Sequence, residues 1–359
     1  MTFLIAAAGT GGHVFPGLSV GEALVDLGVP HEDIAFVGGD RLEAKVYPSE
    51  GYRFVQVEIA GLRRSFTVDN VRLPRVVLRA RRRIADEIAA AGVEVVLGMG
   101  GYVTIPAALA ARKQRVVFFN AEQNAEAGLA NKLTARWARA SFVYFPRTGG
   151  LPDGTWVGNP VRRAFQSFDR ESLRREALQR FDLTADAPVI GVFGGSLGAG
   201  AINEAVAALV QNWTGPVIQV VHLTGSGHLA ALEQRPTSDS VTWRRHGFEG
   251  RMDLFFAAVD VVVSRAGGAV AELTATATPA ILVPGQFGSG GHQTSNARFL
   301  EEAGTAVVVG EDELDKLSGV VADLVADPEK MAAMAAASRA IAKPDAARTI
   351  ARAMIEASQ

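Results

Sequence analysis

Cysteine is absent from all 359 residues, which excludes disulfides, thiolate-bound metals and a cysteine nucleophile, and fits a reducing compartment. No Asp-x-Asp pair occurs, and the histidines stand without metal-ligand spacing, so no metal and no cofactor is expected. The phosphoryl-transfer loop Gly-x-x-x-x-Gly-Lys-Ser/Thr is missing. No uninterrupted apolar run is long enough to span a bilayer. The apolar start of the chain has no basic segment before it and is interrupted by Gly9, so it reads as a strand and not a signal peptide. A net charge of -2 argues against a dedicated nucleic-acid binder.

Glycine is what the chain has in quantity, and its placement is informative. The run Phe3-Leu4-Ile5 reads as a buried strand, and Gly9-Thr10-Gly11-Gly12-His13 leads from it into a stretch with helical spacing of apolar residues from Leu18. A strand, a glycine turn and a helix N-terminus bring backbone N–H groups together, an arrangement that suits an anionic oxygen. His13 adds a titratable group to that turn. Two other readings stand beside this one at that point. Asp40, after the next strand, keeps a dinucleotide reading open, although Val14 occupies the third glycine position of that fingerprint. A purely structural turn, with His13 capping the helix, is the other.

Strand-like and helix-like runs alternate throughout. Strands are expected at 34–37, 93–97, 115–119, 142–145, 189–193, 218–223, 259–264, 280–283 and 306–309, with helices such as 203–210, 254–258 and 269–275 among them. A turn-rich break falls at 146–160, after which strand, glycine turn and helix restart at Val189. The chain length and this repeat predict an α/β protein of two Rossmann-like, doubly wound parallel-sheet domains facing across a cleft. The boundaries are placed at 1–160 and 161–342, with a final helix in 343–359 packing back on the first domain.

The second turn carries Ser196. A third, Ser264-Arg265-Ala266-Gly267-Gly268, precedes Glu272, a carboxylate placed to accept from ribose hydroxyls. Gln293 and Asn296, with His292, have spacing for one helix face and offer amides suited to sugar hydroxyls. Gly98-Met99-Gly100-Gly101-Tyr102 and Glu122-Gln123-Asn124 end predicted strands, the edge where open α/β sheets bind ligands. In 72–83, Arg72, Arg75, Arg79, Arg81, Arg82 and Arg83 surround Val76, Val77 and Leu78. That segment reads either as a solvated helix face or as a contact with anionic lipid headgroups.

Taken together and in order, these motifs resemble the MurG family of peptidoglycan glycosyltransferases from Phe3 to the final helix. The marks are the turn from Gly9 to His13 with Pro16-Gly17, the run from Gly98 to Val103, and Glu122-Gln123-Asn124. Gly158-Asn159-Pro160-Val161-Arg162, Gly194-Gly195-Ser196, Arg265 through Glu272, and His292-Gln293 with Asn296-Ala297 complete them. The resemblance implies a GT-B fold and inverting, metal-independent transfer of N-acetylglucosamine from UDP-N-acetylglucosamine to the muramyl 4-hydroxyl of lipid I. It implies catalytic roles for His13, Thr10 and Glu122. Donor contacts would fall to Thr10, Gly11, Gly12, Asn124, Arg162, Ser196, Gly267, Gly268, Glu272, Gln293 and Asn296. It also implies a peripheral place on the cytoplasmic face of the membrane, with the 72–83 segment against an anionic surface. Three departures stand out: Ala121 where family members often have histidine, a 265–272 loop shorter by one residue, and Gly291 where an aspartate is common. A UDP-N-acetylglucosamine 2-epimerase, a transferase with a soluble acceptor and a nucleotide-sugar-binding module without turnover are the competing readings.

Overall fold

Period-two alternation inside β1 (Thr2–Ala6) shows how the first core is built. Phe3 and Ile5 point to one face of the sheet and Leu4 and Ala6 to the other, and all four are buried. A strand covered on both faces is what a parallel sheet requires. The computed structural model describes residues 2–59, 68–195, 198–285 and 291–359, with only the backbone for 68–72.

The described chain divides into two compact units, Met1–Arg163 with Lys343–Gln359, and Ala164–Ala342. In the first, β1 pairs in parallel with β2 (Ile34–Gly38) and β4 (Val93–Gly98). Outward from these lie β3 (Arg53–Gln56) on one side, and β5 (Val117–Glu122), β6 (Ser141–Val143) and β7 (Thr155–Trp156) on the other, in the order 3-2-1-4-5-6-7. The helix Gly11–Asp26 and the C-terminal helix Ala346–Ala357 pack together on one face, burying Val14, Leu18, Val20, Ile350 and Met354 with Phe3 and Ile5. The helices Val68–Ala91 and Thr104–Gln114 cover the other.

The second unit repeats the plan. Its strands β8 (Val189–Phe193), β9 (Ile218–Leu223), β10 (Val241–His246), β11 (Val261–Ser264), β12 (Ala280–Leu282) and β13 (Ala306–Val308) run 10-9-8-11-12-13, all parallel. Ile202, Val206 and Val210 of the helix Gly200–Gln211 cover Ile190 and Val192. On the reverse face, Gly191 leaves room for Phe255, whose ring a Cβ there would meet at 2.7 Å. Phe255 packs edge-to-face on Phe193 and Phe181. In both units the strand order reverses beside the first strand, the topological switch point at which doubly wound sheets bind ligands.

Several expected boundaries shift for local reasons. Arg115, expected to open a strand, instead takes a left-handed conformation (φ 59°) that ends the helix Thr104–Gln114, so β5 starts later and runs on to Glu122. Arg162, assigned by sequence to the second domain, stands in the first unit. Its guanidinium lies 5.4 Å over the Phe15 ring, and Arg163 pairs with Asp26 at 2.5 Å. The 72–83 segment belongs to a continuous helix, Val68–Ala91, in which Val76, Ala80, Ile84 and Ile88 form a buried stripe. Val76 is therefore core and not part of the exposed surface of this segment.

Candidate active site

In the first unit, two loops meet at the switch point. The turn after β1 is shaped by Gly9 at φ 103° and held from beneath by buried Glu43. One Glu43 oxygen accepts from Gly9 N at 3.1 Å and the other from Gly39 N at 2.9 Å. One carboxylate thus ties together the ends of β1 and β2. Asp40, the acid singled out for a dinucleotide, is exposed. Thr10 caps the helix Gly11–Asp26 with its backbone, its carbonyl accepting from His13 N and Val14 N at 3.0 and 3.1 Å. Gly11 and Gly12 open that helix, where the geometry provides no intrahelical acceptor for an N–H. The Thr10 hydroxyl lies 3.5 Å from His13 Nδ1.

The loop after β4 supplies the other wall. Gly100, at φ 87°, leaves space that His13 fills: a Cβ there would meet the imidazole at 3.1 Å and the Asn131 amide at 3.4 Å. Thr104 donates to Gly100 O at 2.9 Å and holds that loop to its helix. Beyond it lies Glu122, for which a catalytic role is expected from the sequence. It is buried and its carboxylate accepts from Asn124 N, Asn124 Nδ2, Gly128 N and Asn131 Nδ2, each at 2.9 Å. Four donors converge on this one carboxylate, which organises the loop that presents Asn124.

In the second unit, Gly195 and Gly198 have φ of 96° and 79° and shape the turn after β8. Ser196 lies outside the described residues. After β11, Arg265 leads into the Gly267-Gly268 turn and the short helix Val270–Ala275, with half-buried Glu272 in its first turn. Gly267 faces open space where a Cβ would stand. Arg265 pairs with Glu311 at 2.5 Å and donates to Val283 O at 3.2 Å, both side chains mostly buried. Gln293 accepts from Gly285 N at 2.8 Å. Asn296 differs from the expectation of a ligand contact: it is buried, and its Nδ2 donates to Ala266 O at 3.0 Å. It braces the Gly267 turn from behind, while Gln293 sits one helical turn nearer the surface.

Two family models match the chain, the glycosyltransferase family 28 N-terminal domain over residues 3–143 and its C-terminal domain over 189–350. Relatives from Mycolicibacterium paratuberculosis and Rhodococcus erythropolis are 39% and 34% identical. They cover 99% of this chain and 88% and 94% of their own length. Both are named UDP-N-acetylglucosamine--N-acetylmuramyl-(pentapeptide) pyrophosphoryl-undecaprenol N-acetylglucosamine transferase. The chain belongs to the MurG family. The Acinetobacter baumannii MurG crystal structure superposes with a TM-score of 0.79 at 26% identity over 99% of both chains, placing the fold in the GT-B class. A Neisseria meningitidis UDP-GlcNAc 2-epimerase shares that fold, with a TM-score of 0.70 at 15% identity over 99% of this chain and 100% of its own. Fold alone therefore does not separate transferase from epimerase, whereas full-length identity to named transferases does.

Sequence reasoning missed the residues that support these turns: Glu43, Asn131 and Glu311. None of them lies in a motif that announces it. Among the described residues no cluster of His, Asp and Glu is arranged to hold a metal, and no helix is long and apolar enough to cross a membrane.

On the Val68–Ala91 helix, Arg75, Arg79, Arg82 and Arg83 are exposed, with Leu78 45% exposed beside them. Val77 and Arg81 are half-buried, and the Arg72 side chain lies outside the described residues. Arg79 also pairs with Glu58 at 3.2 Å on the surface.

Proposed function

We propose that this chain transfers N-acetylglucosamine from UDP-N-acetylglucosamine to the muramyl 4-hydroxyl of lipid I, giving lipid II with inversion at the anomeric carbon. Full-length identity to transferases of that name carries this reading. In one displacement the acceptor oxygen bonds to the anomeric carbon, its proton passes to His13, and the bond to the diphosphate breaks to release UDP. Thr10 orients His13, and the helix starting at Gly11 faces the acceptor with unpaired N–H groups. The second unit binds the donor, with Glu272 on the ribose hydroxyls, and with Gln293 and the turns at Ser196 and at Gly267 and Gly268 on the sugar and diphosphate. By the family resemblance, Asn124 and Arg162 are further candidates for donor contacts. Preorganised backbone donors stabilise the charge that develops on departing UDP, where one such donor is typically worth ~3 kcal/mol of barrier.

The exposed arginines of the Val68–Ala91 helix, with Leu78, hold the protein as a peripheral protein on the anionic cytoplasmic face of the membrane, where its acceptor is anchored. Labelled N-acetylglucosamine supplied as UDP-N-acetylglucosamine, with a lipid I analogue and soluble sugars as competing acceptors, tests the reading. Label is expected in the lipid product; label in soluble sugars alone would contradict it.

A further inference from the structure

The helix Gly200–Gln211 carries a polar pair that packing alone does not explain. Asn203, in its first turn, and His222, in β9, are both buried. Asn203 Nδ2 donates to Thr224 O at 2.9 Å, which leaves Oδ1 as the acceptor 3.0 Å from His222 Nε2. His222 Nε2 must therefore carry the proton. The imidazole lies nearly parallel to the Trp243 indole, 22° apart with centroids at 6.0 Å. Burial holds this histidine neutral, its pKa pushed down to about 3 by desolvation and then by the Arg245 charge. It cannot serve as an acid or base near neutral pH.

The carbonyl that Asn203 grips is also where the glycine turn rests. A Cβ on Gly198 would lie 2.2 Å from Thr224 O, and Gly198 holds φ 79° against it. One carbonyl at the end of β9 thus fixes both the turn after β8 and the start of the following helix. The first N–H groups of that helix have no intrahelical acceptor, and the helix follows β8, beside which the strand order reverses.

We propose that Asn203 and His222 are positioning residues for the donor diphosphate: His222 orients the Asn203 amide, which locks the glycine turn and the helix N-terminus onto Thr224 O. The proposal rests on the reading that this unit binds a nucleotide diphosphate. An apolar side chain at either position strands a buried hydrogen-bonding group and lets the turn shift. Anion binding then weakens, while contacts to the nucleoside persist.

UDP and uridine affinities, measured by calorimetry on the full chain, test this. The variants are His222→Leu, Asn203→Leu, Asn203→Asp and His222→Gln, each first checked for cooperative unfolding. Gln at 222 keeps an N–H donor near the place of Nε2. The two leucine variants should bind UDP roughly tenfold more weakly with uridine affinity held within about twofold, equivalent to ~1.4 kcal/mol; His222→Gln should keep the wild-type ratio. An unchanged UDP-to-uridine ratio in a folded leucine variant overturns the proposal. If neither leucine variant folds, Asn203→Asp decides by the same ratio, since a carboxylate cannot donate to Thr224 O. A wild-type chain that binds UDP no better than uridine overturns the underlying nucleotide-diphosphate reading instead.

Discussion

The proposed chemistry turns on His13, whose surroundings are built for one orientation. Gly100 makes room for the imidazole and Thr10 faces its Nδ1. His13→Ala should lower kcat by about 10²–10⁴-fold while UDP binding survives, as steady-state kinetics beside UDP titration would show. Glu272→Ala should instead weaken UDP, by about 1–3 kcal/mol for a lost charged hydrogen bond; unchanged UDP affinity would remove it from the ribose. His222 predicts a pH dependence of stability. Its folded pKa lies near 3, below the ordinary 6.5, so between those values the unfolded chain binds a proton that the folded chain does not. Its contribution is present above pH 6.5 and lost as pH falls toward 3. The slope is about 1.4 kcal/mol per pH unit. Urea midpoints from pH 7 to pH 4 should fall more steeply for wild type than for His222→Gln. Of these residues, His13 and Glu272 stand out in the sequence as candidates because glycine turns precede them. Asn203 and His222 do not, because a hydrogen bond between residues 19 apart in sequence leaves no local pattern.

Elements were legible where both faces are buried. β8 falls where a continuous apolar run puts it, at Val189–Phe193, and β9 falls at Ile218–Leu223 around the apolar residues that flank Gln219 and His222. The strands that sequence missed lie at sheet edges, β3, β7 and β10, where half the residues meet solvent and the apolar run breaks. β10 carries Arg244 and Arg245, and the latter's guanidinium rests 4.4 Å over Trp243, a partly buried cation that reads as polar in sequence. The Val68–Ala91 helix was legible as amphipathic but not in its facing. Only the structure separates Val76, in the core, from Leu78 and the arginines outside. Replacing Arg79, Arg82 and Arg83 with glutamine should weaken binding to anionic vesicles by about 1 kcal/mol per charge, and salt should weaken wild-type binding likewise. Vesicle flotation at low and high salt checks this, and undiminished flotation of the variant would reduce these arginines to a solvated face.

At the scale of the whole chain, the return of residues 343–359 to the first unit ties the two ends of the sequence into one core. Ile350 and Met354 are fully buried beside the helix Gly11–Asp26, and burying side chains of that size contributes roughly 1.5–3 kcal/mol each. Removing 343–359 should therefore strip much of the stability of a unit whose total is typically about 5–15 kcal/mol. Limited proteolysis should find residues before 163 cut early in the truncated chain, with 164–342 persisting. Equal protection of both units would refute that dependence. The GT-B frame, shared with epimerases, carries no choice of reaction. The most direct measurement follows anomerically labelled UDP-N-acetylglucosamine with and without a lipid I analogue. The account predicts UDP release that requires the acceptor, one β-linked sugar per UDP released, and loss of that turnover in His13→Ala. Epimerised sugar formed without acceptor, or tight UDP binding with no transfer, would contradict it.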